Sequence, residues 1–170
     1  MSDRDVSDDT PGMLAVGNST PSVQLTEHTG RPVTLGGPGG RPTLVVFVPF
    51  AFSPVCGDEL ARLNTVLPEL RERVDVCAVS CDPVPTLRAW AERESFDFPL
   101  LSDFWPHGAA ARAFGVLDEE QGYARRGSFL LDTEGVMRWR TLSPAGVGRD
   151  PEVYLQAAAS LPSVGSVDFR

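Results

Sequence analysis

Histidine, cysteine and long apolar runs are scarce in this chain, and each scarcity removes a class of function. His28 and His107 stand beside three cysteines, and none of them has metal-ligand spacing to another. A metal centre is therefore not expected. Cys56, Cys77 and Cys81 are odd in number and lack scaffold-like spacing, which argues against structural disulfides and for a reducing compartment. The cytoplasm is the expected location. No stretch reaches the roughly 18 apolar residues of a membrane-spanning helix. The acidic opening MSDRDVSDDT has no apolar run of the kind a secretory signal needs. Positive charge is short as well: 15 Lys and Arg against 23 Asp and Glu give 15 − 23 = −8. Such a chain is repelled by phosphate backbones and anionic lipid, so neither nucleic acid nor a membrane is an expected partner.

What is present suffices for one domain. The chain has 170 residues, 42% of them hydrophobic, enough for a single core and too few for two domains. Residues 1–12 are polar and acidic and end in Thr10-Pro11-Gly12, the composition of a disordered tail. The folded domain is expected over 13–165. The Gly36-Gly37-Pro38-Gly39-Gly40 run reads as a loop between two short elements. It lacks the lysine and context of a phosphate-binding loop.

Residues 43–48 are an unbroken apolar run rich in β-branched side chains, which predicts a strand buried on both faces. A Pro-containing turn follows, then a helix from Cys56 to Leu67 with Leu60, Leu63 and Leu67 on one stripe. Pro68 is expected to bend or interrupt it. Strands are predicted over 74–80 and 98–101, helices over 85–94 and 108–114. A hairpin joins 128–132 to 136–139 through Thr133-Glu134-Gly135. A last helix spans 150–161, with Asp150 as N-cap and Pro151 at the first helical position. This alternation predicts a three-layer α/β fold of thioredoxin-like type, a central mixed sheet flanked by helices.

Cys56 falls where a buried strand passes through a turn into a helix. The first N–H groups of a helix lack intrahelical partners, and the aligned peptide dipoles favour negative charge there. An ordinary cysteine is only about 3% thiolate at pH 7; a helix terminus together with a nearby cation shifts the balance towards the reactive anion. Ser53 has no His and Asp at hydrolase spacing, so a serine-hydrolase reading is unsupported.

The pattern Pro49-x-x-x-Ser53-x-x-Cys56 resembles the signature of the peroxiredoxins. The similarity is greatest to the AhpE-type one-cysteine group of actinobacteria and runs from about residue 13 to 161. Its most telling stretches are Pro49-Phe50-Ala51-Phe52-Ser53-Pro54-Val55-Cys56 and the segment 98–108, with Phe104-Trp105-Pro106-His107-Gly108 at its end. The resemblance implies a thiol peroxidase with Cys56 as the nucleophile that attacks a peroxide. Pro49 would shield the sulfur, Ser53 would hydrogen-bond the thiolate and the peroxide, and Arg126 would donate to both. Arg125 points to the other side of an extended chain. Serine at 53 departs from the threonine common in that group, but the hydroxyl donor is kept. Glu59 matches a position that orients the arginine; a solvated helix carboxylate is the competing reading.

The same resemblance implies no bound cofactor, recycling by an external small thiol (mycothiol-like) with a mycoredoxin- or thioredoxin-type reductant, and a homodimer. Cys77 reads as a small core residue. Cys81, at the carboxyl end of its strand, is a candidate resolving cysteine, although the usual resolving positions are not matched: Ala61 lies five residues after Cys56. Two rivals remain. A peroxide sensor relaying oxidation to a partner protein needs the same thiol, whereas a thioredoxin-like disulfide oxidoreductase wants a second cysteine where Glu59 stands.

Overall fold

The computed structural model describes residues 12–162. The acidic opening up to residue 11 and the last three residues of the expected 13–165 domain lie outside the described residues. In chain order the elements are β1 (Val23–Glu27), β2 (Pro32–Leu35), β3 (Thr43–Phe47), α1 (Pro54–Leu70), β4 (Asp75–Ser80), α2 (Val84–Glu94) and β5 (Leu100–Ser102). They continue with α3 (Ala109–Ala113), β6 (Leu117–Asp118), β7 (Tyr123–Ala124), β8 (Arg126–Leu131), β9 (Met137–Ser143) and α4 (Glu152–Ser160).

Seven strands form one sheet in the order β2-β1-β5-β4-β3-β8-β9, and β6 pairs β7 apart from it. The centre, β5-β4-β3, is parallel; β8 and β9 on one side and β1 and β2 on the other run antiparallel. Strand alternation sorts the apolar run onto two faces. Leu44, Val46, Val76 and Ala78 pack with Leu60 and Leu63 of α1, Trp90 of α2 and Tyr154 of α4. Val45, Phe47, Cys77 and Val79 pack with Phe114, Phe129 and the α3 alanines. Helices on both faces of a mixed sheet give the three-layer, thioredoxin-like α/β architecture that the sequence predicts.

Several boundaries differ from the sequence reading, each for a physical reason. α1 begins at Pro54 rather than Cys56, because Pro is well suited to the first helical position. The helix also runs through Pro68 to Leu70. A helix-interior proline costs about 3 kcal/mol, but Leu67 and Leu70 are each 1% exposed, and burying two such side chains contributes roughly 1.5–3 kcal/mol apiece. Packing wins.

At α4 the N-cap is Pro151, not Asp150, and the helix starts one residue later than expected. The Asp150 carboxylate still does a cap's work, accepting from the Glu152 N–H at 3.0 Å. The hairpin strands are longer than predicted, since β8 begins at Arg126 and β9 reaches Ser143. Gly135 closes their turn with φ 75°, and a Cβ there would meet the Gly37 carbonyl oxygen at 2.2 Å. Only glycine fits.

Candidate active site

β3 ends at Phe47, and the Val48 N–H donates to the Val79 carbonyl at 3.0 Å, so the chain leaves the sheet at its carboxyl edge. Pro49 to Phe52 then turn the backbone, with Phe52 in the left-handed region at φ 63°. Ser53 is the extended N-cap of α1, and its side chain makes no capping bond. The first helical bond runs from the Gly57 N–H to the Ser53 carbonyl at 2.8 Å. Cys56 thus lies in the first turn of α1, fully buried.

A second strand delivers the cation. Arg126 opens β8 and is 4% exposed. Its Nη2 donates to the Cys56 Sγ at 3.1 Å, and its Nη1 donates to Glu59 Oε2 at 2.5 Å. Its Nε finds no acceptor among the described residues. Arg125, the neighbour, instead donates to the Gly115 carbonyl at 2.9 Å. The alternation expected of an extended chain is what separates the two. Gly127 follows because a Cβ there would meet Val116 at 2.7 Å.

Glu59 is 2% exposed, so the solvated reading of this carboxylate is overturned. It sits one turn after Cys56 on the buried stripe of α1, where an unpaired charge would be strongly unfavourable. Its partners are Arg126 and a residue that the sequence reading missed, Arg149. The Arg149 backbone N–H donates to Glu59 Oε1 at 2.8 Å, its Nη2 donates to Oε2 at 3.0 Å, and its Nε also donates to Oε1. Arg149 further donates to the carbonyls of Gly127 at 2.9 Å and Phe47 at 2.8 Å, and to Ser128 Oγ at 2.8 Å. It ties α1, β3 and β8 together at the end of the sheet. Burial pulls its guanidinium pKa down, but the Tyr154 hydroxyl and the bonds and charge of Glu59 outweigh this and hold it above the ordinary arginine value. The Tyr154 hydroxyl, 2.8 Å from Ser128 Oγ, is itself raised, chiefly by burial, against the pull of Arg149.

Two buried guanidiniums face one buried carboxylate. The excess positive charge lies against the Cys56 sulfur. In a water-poor site such a charge acts on its neighbours far more strongly than it would at the surface. Pro49, Ser53 and Arg126, with Phe50, Val55 and Tyr123, line a groove of about 460 Å³ that opens beside the cysteine.

The other two cysteines have different surroundings. Cys77 faces the opposite side of the sheet from Cys56 and is pushed up to about 12, mainly by burial, with a contribution from Asp75. Cys81 follows β4. Burial, Asp103 and Asp82 push it up to about 12, against a hydrogen bond from the Ala124 backbone. His107 faces the carbonyls of Phe104 at 3.2 Å and Gly122 at 2.6 Å. A second cavity of about 420 Å³, lined by Cys77, Arg41, Gly36, Gly37, Gly39 and Gly40 among others, opens at the other end of β3 and β4. Among the described residues no cluster of three or more His, Cys, Asp or Glu could hold a metal ion, and no helix is long and apolar enough to cross a membrane.

Residues 16–140 match the AhpC/TSA family. The chain belongs to this peroxiredoxin family. It is 41% identical over 151 residues to the alkyl hydroperoxide reductase E of Mycobacterium tuberculosis (strain ATCC 25618 / H37Rv), a match covering 88% of this chain and 99% of that protein. It is 33% identical over 155 residues to a thioredoxin peroxidase of Fasciola hepatica, with 85% of this chain and 73% of that one covered. Among solved structures, the AhpC of Enterococcus faecalis superposes with a TM-score of 0.76 at 30% identity, covering 85% of this chain and 90% of that one. The peroxidoxin BcpB of Mycobacterium tuberculosis gives 0.76 at 27%, covering 87% and 98%. Relatives named as alkyl hydroperoxide reductases and thioredoxin peroxidases make this chain an enzyme of the thiol-dependent peroxidase class.

Proposed function

We propose that the chain reduces hydrogen peroxide or organic hydroperoxides through a sulfenic acid on Cys56 and is recycled by an external thiol. The observation that carries this reading is the Arg126 Nη2 contact to the Cys56 sulfur at 3.1 Å, backed by Glu59 and Arg149. The Cys56 thiolate attacks one peroxide oxygen, the O–O bond breaks, and the other oxygen leaves as water or an alcohol after taking a proton. Cys56 gains one oxygen as a sulfenic acid. Negative charge moves from sulfur to the leaving oxygen during this step. The Ser53 hydroxyl, free of any capping bond, and the unpartnered Arg126 Nε are donors available to that charge without reorganising. Pro49, on the groove wall, shields the sulfur from bulk water.

A small thiol then attacks the sulfenic sulfur, releases water and leaves a mixed disulfide, which a second thiol cleaves. The proposed reductant is a mycothiol-like thiol with a mycoredoxin- or thioredoxin-type partner, and the expected assembly is a homodimer in the cytoplasm. Cys81, whose thiol is pushed up to about 12, has no part in this cycle. Intact-mass analysis after one equivalent of hydrogen peroxide tests the reading. The wild type should gain one oxygen on Cys56, or one thiol when a small thiol is present, and Cys56→Ser should gain neither and consume no peroxide. Peroxide consumption surviving in Cys56→Ser would remove the assignment, and a wild type that stalls after one equivalent with thiol in excess would make it a sensor instead.

A further inference from the structure

A guanidinium carries five N–H donors, and in Arg149 each of them meets one acceptor. Nε and one Nη2 hydrogen go to the Glu59 carboxylate, and the other Nη2 hydrogen goes to the Phe47 carbonyl. The two Nη1 hydrogens go to the Gly127 carbonyl and to Ser128 Oγ. The carbonyls are fixed by the backbones of β3 and β8, and the carboxylate is held by charge. Ser128 Oγ is different. A serine hydroxyl turns among three staggered positions about its χ1, so this acceptor stays in place only where a further partner holds it.

That partner comes from the last helix. The Tyr154 hydroxyl lies 2.8 Å from Ser128 Oγ, and both side chains are buried. The rest of the buried face of α4 is Ala157 and Ala158, and the Tyr154 ring packs edge-on against Trp139 at 6.1 Å. Packing alone does not call for the hydroxyl. A phenylalanine would bury the same ring with no polar atom to satisfy, and one neutral hydrogen bond adds little net stability. The surroundings of the hydroxyl are those of the reacting centre, since the charges of Arg149 and Arg126 both act on it. Arg126 and Ser128 are two residues apart on β8 and so share one face. From Tyr154 a line of contacts runs through Ser128, Arg149, Glu59 and Arg126 to Cys56, at 2.8, 2.8, 3.0, 2.5 and 3.1 Å. Arg126 depends on this line. Its Nε finds no acceptor among the described residues, so its bond to Glu59 sets where Nη2 meets the sulfur.

We propose that Tyr154 is a positioning residue for the peroxide step: its hydroxyl fixes Ser128, so that Arg149 and Glu59 hold Arg126 against the Cys56 sulfur. The inference rests on the peroxidase reading above. Tyr154 touches neither the sulfur nor the peroxide and exchanges no proton with them. Without its hydroxyl, Ser128 is free to turn away from Arg149, and one Nη1 hydrogen loses its acceptor. Arg149 then holds Glu59 less firmly, and Arg126 spends less time in contact with the thiolate.

Single-turnover rates with hydrogen peroxide, measured across pH and set beside urea midpoints, separate positioning from packing. Tyr154→Phe keeps the ring and removes the hydroxyl. It should slow the peroxide step at neutral pH roughly three- to tenfold, the scale of one neutral hydrogen bond. It should also move the rising limb of the rate to higher pH by about 0.5–1 unit, because a tenfold weaker preference for the thiolate is one pH unit. Ser128→Ala breaks the next link and should do the same, and the double variant should be no slower than the slower single one, since both act in one line. Ala157→Gly, on the same buried face of α4, is the packing control. It should lower the urea midpoint and leave rate and limb in place. An unmoved limb in Tyr154→Phe, or an equal slowing in Ala157→Gly, overturns the positioning role while leaving the peroxidase reading intact. Absence of Cys56 sulfenic acid in the wild type would take both down.

Discussion

Cys56 and Cys81 are both buried thiols near the carboxyl edge of one sheet, yet their surroundings carry opposite charge. Cys56 has a guanidinium 3.1 Å from its sulfur and a second braced behind it. Cys81 has burial joined by two carboxylates, Asp103 and Asp82, which push its thiol up to about 12. Burial alone disfavours the thiolate; the sign of the neighbouring charge decides whether a buried cysteine is a nucleophile or filler. The contrast has a structural origin. Cys56 meets Arg126 from β8, braced through Glu59 by Arg149 from the loop before α4, whereas Cys81 is near Asp103, whose carboxylate accepts from the N–H groups of Ala110 and Ala111 at 2.8 and 2.9 Å.

Removing the cation at Cys56 is the most direct way to break this difference. Arg126→Ala is expected to lose about 10²-fold or more in the rate of peroxide reduction, the scale on which one preorganised donor acts. Arg125→Ala should lose little, because that side chain binds the Gly115 carbonyl instead. Stopped-flow rates with hydrogen peroxide compare the two. If Arg125 proves the sensitive one, the contact to sulfur is not the functional one.

Arg149 comes next. It is 5% exposed, and truncating its side chain strips Glu59 of two hydrogen bonds, those from Nε and Nη2, while the backbone N–H keeps its bond. Removing one partner of a buried ion pair costs about 3–5 kcal/mol, so Arg149→Met should lower stability by that order in urea denaturation. It should also slow peroxide reduction, since Glu59 no longer fixes Arg126. A variant as stable as the wild type would show that Glu59 needs only one guanidinium.

Much of the site was legible before the fold, and the reason is local. Pro49, Ser53 and Cys56 lie within one strand–turn–helix, so short spacing reports their geometry. Arg126 was reachable through the family resemblance, whose arginine precedes this kind of strand, and strand alternation then set Arg125 aside. Arg149 was not, since it lies 90 residues from Glu59 in an irregular loop after β9. One signal did point to it: Glu59 shares a helical stripe with Leu60 and Leu63, and a carboxylate on a buried stripe needs a cation from elsewhere. The central strands were visible as apolar runs, whereas helix ends were set by tertiary packing, as Leu67 and Leu70 carry α1 past Pro68.

A smaller effect separates the faces through pH. Cys77 stands at about 12 in the folded chain against 9.0 for a free thiol. A raised value means that the folded state holds its proton where the unfolded state releases it. The stability this group contributes is therefore full below pH 9 and is lost as pH rises from 9 to 12, by up to about 4 kcal/mol. Tyr154, also raised by burial, adds to the same alkaline loss. Urea midpoints for the wild type should fall across this window, and Cys77→Ala should fall less steeply. Parallel curves would mean that Cys77 is already in contact with solvent.

The smallest expected effect is at Cys81, and it separates recycling by an external thiol from an internal disulfide. A disulfide needs Cα atoms within about 7 Å and Cβ vectors aimed at each other. Along β4, alternation places Cys77 and Val79 on the side of the sheet that packs α3, while Cys56 packs in the cluster of α1, α2 and α4; Cys81 lies one residue past the strand. The Cys81 thiol also stays protonated at neutral pH because Asp103 and Asp82 add to its burial, and a thiol rather than a thiolate is a poor nucleophile toward a sulfenic acid. Its protonation opposes a resolving role. Cys81→Ser should then keep single-turnover peroxide reduction and steady-state turnover with a small thiol within about twofold of the wild type, a barrier change of about 0.4 kcal/mol. Peptide mapping of oxidised wild type should find Cys56 as sulfenic acid or as a mixed disulfide with added thiol. A dominant Cys56–Cys81 linkage, with recycling lost in Cys81→Ser, would mean that the turn opens far enough to carry Cys56 past the sheet edge, and the charge contrast between the two thiols would no longer describe the working enzyme.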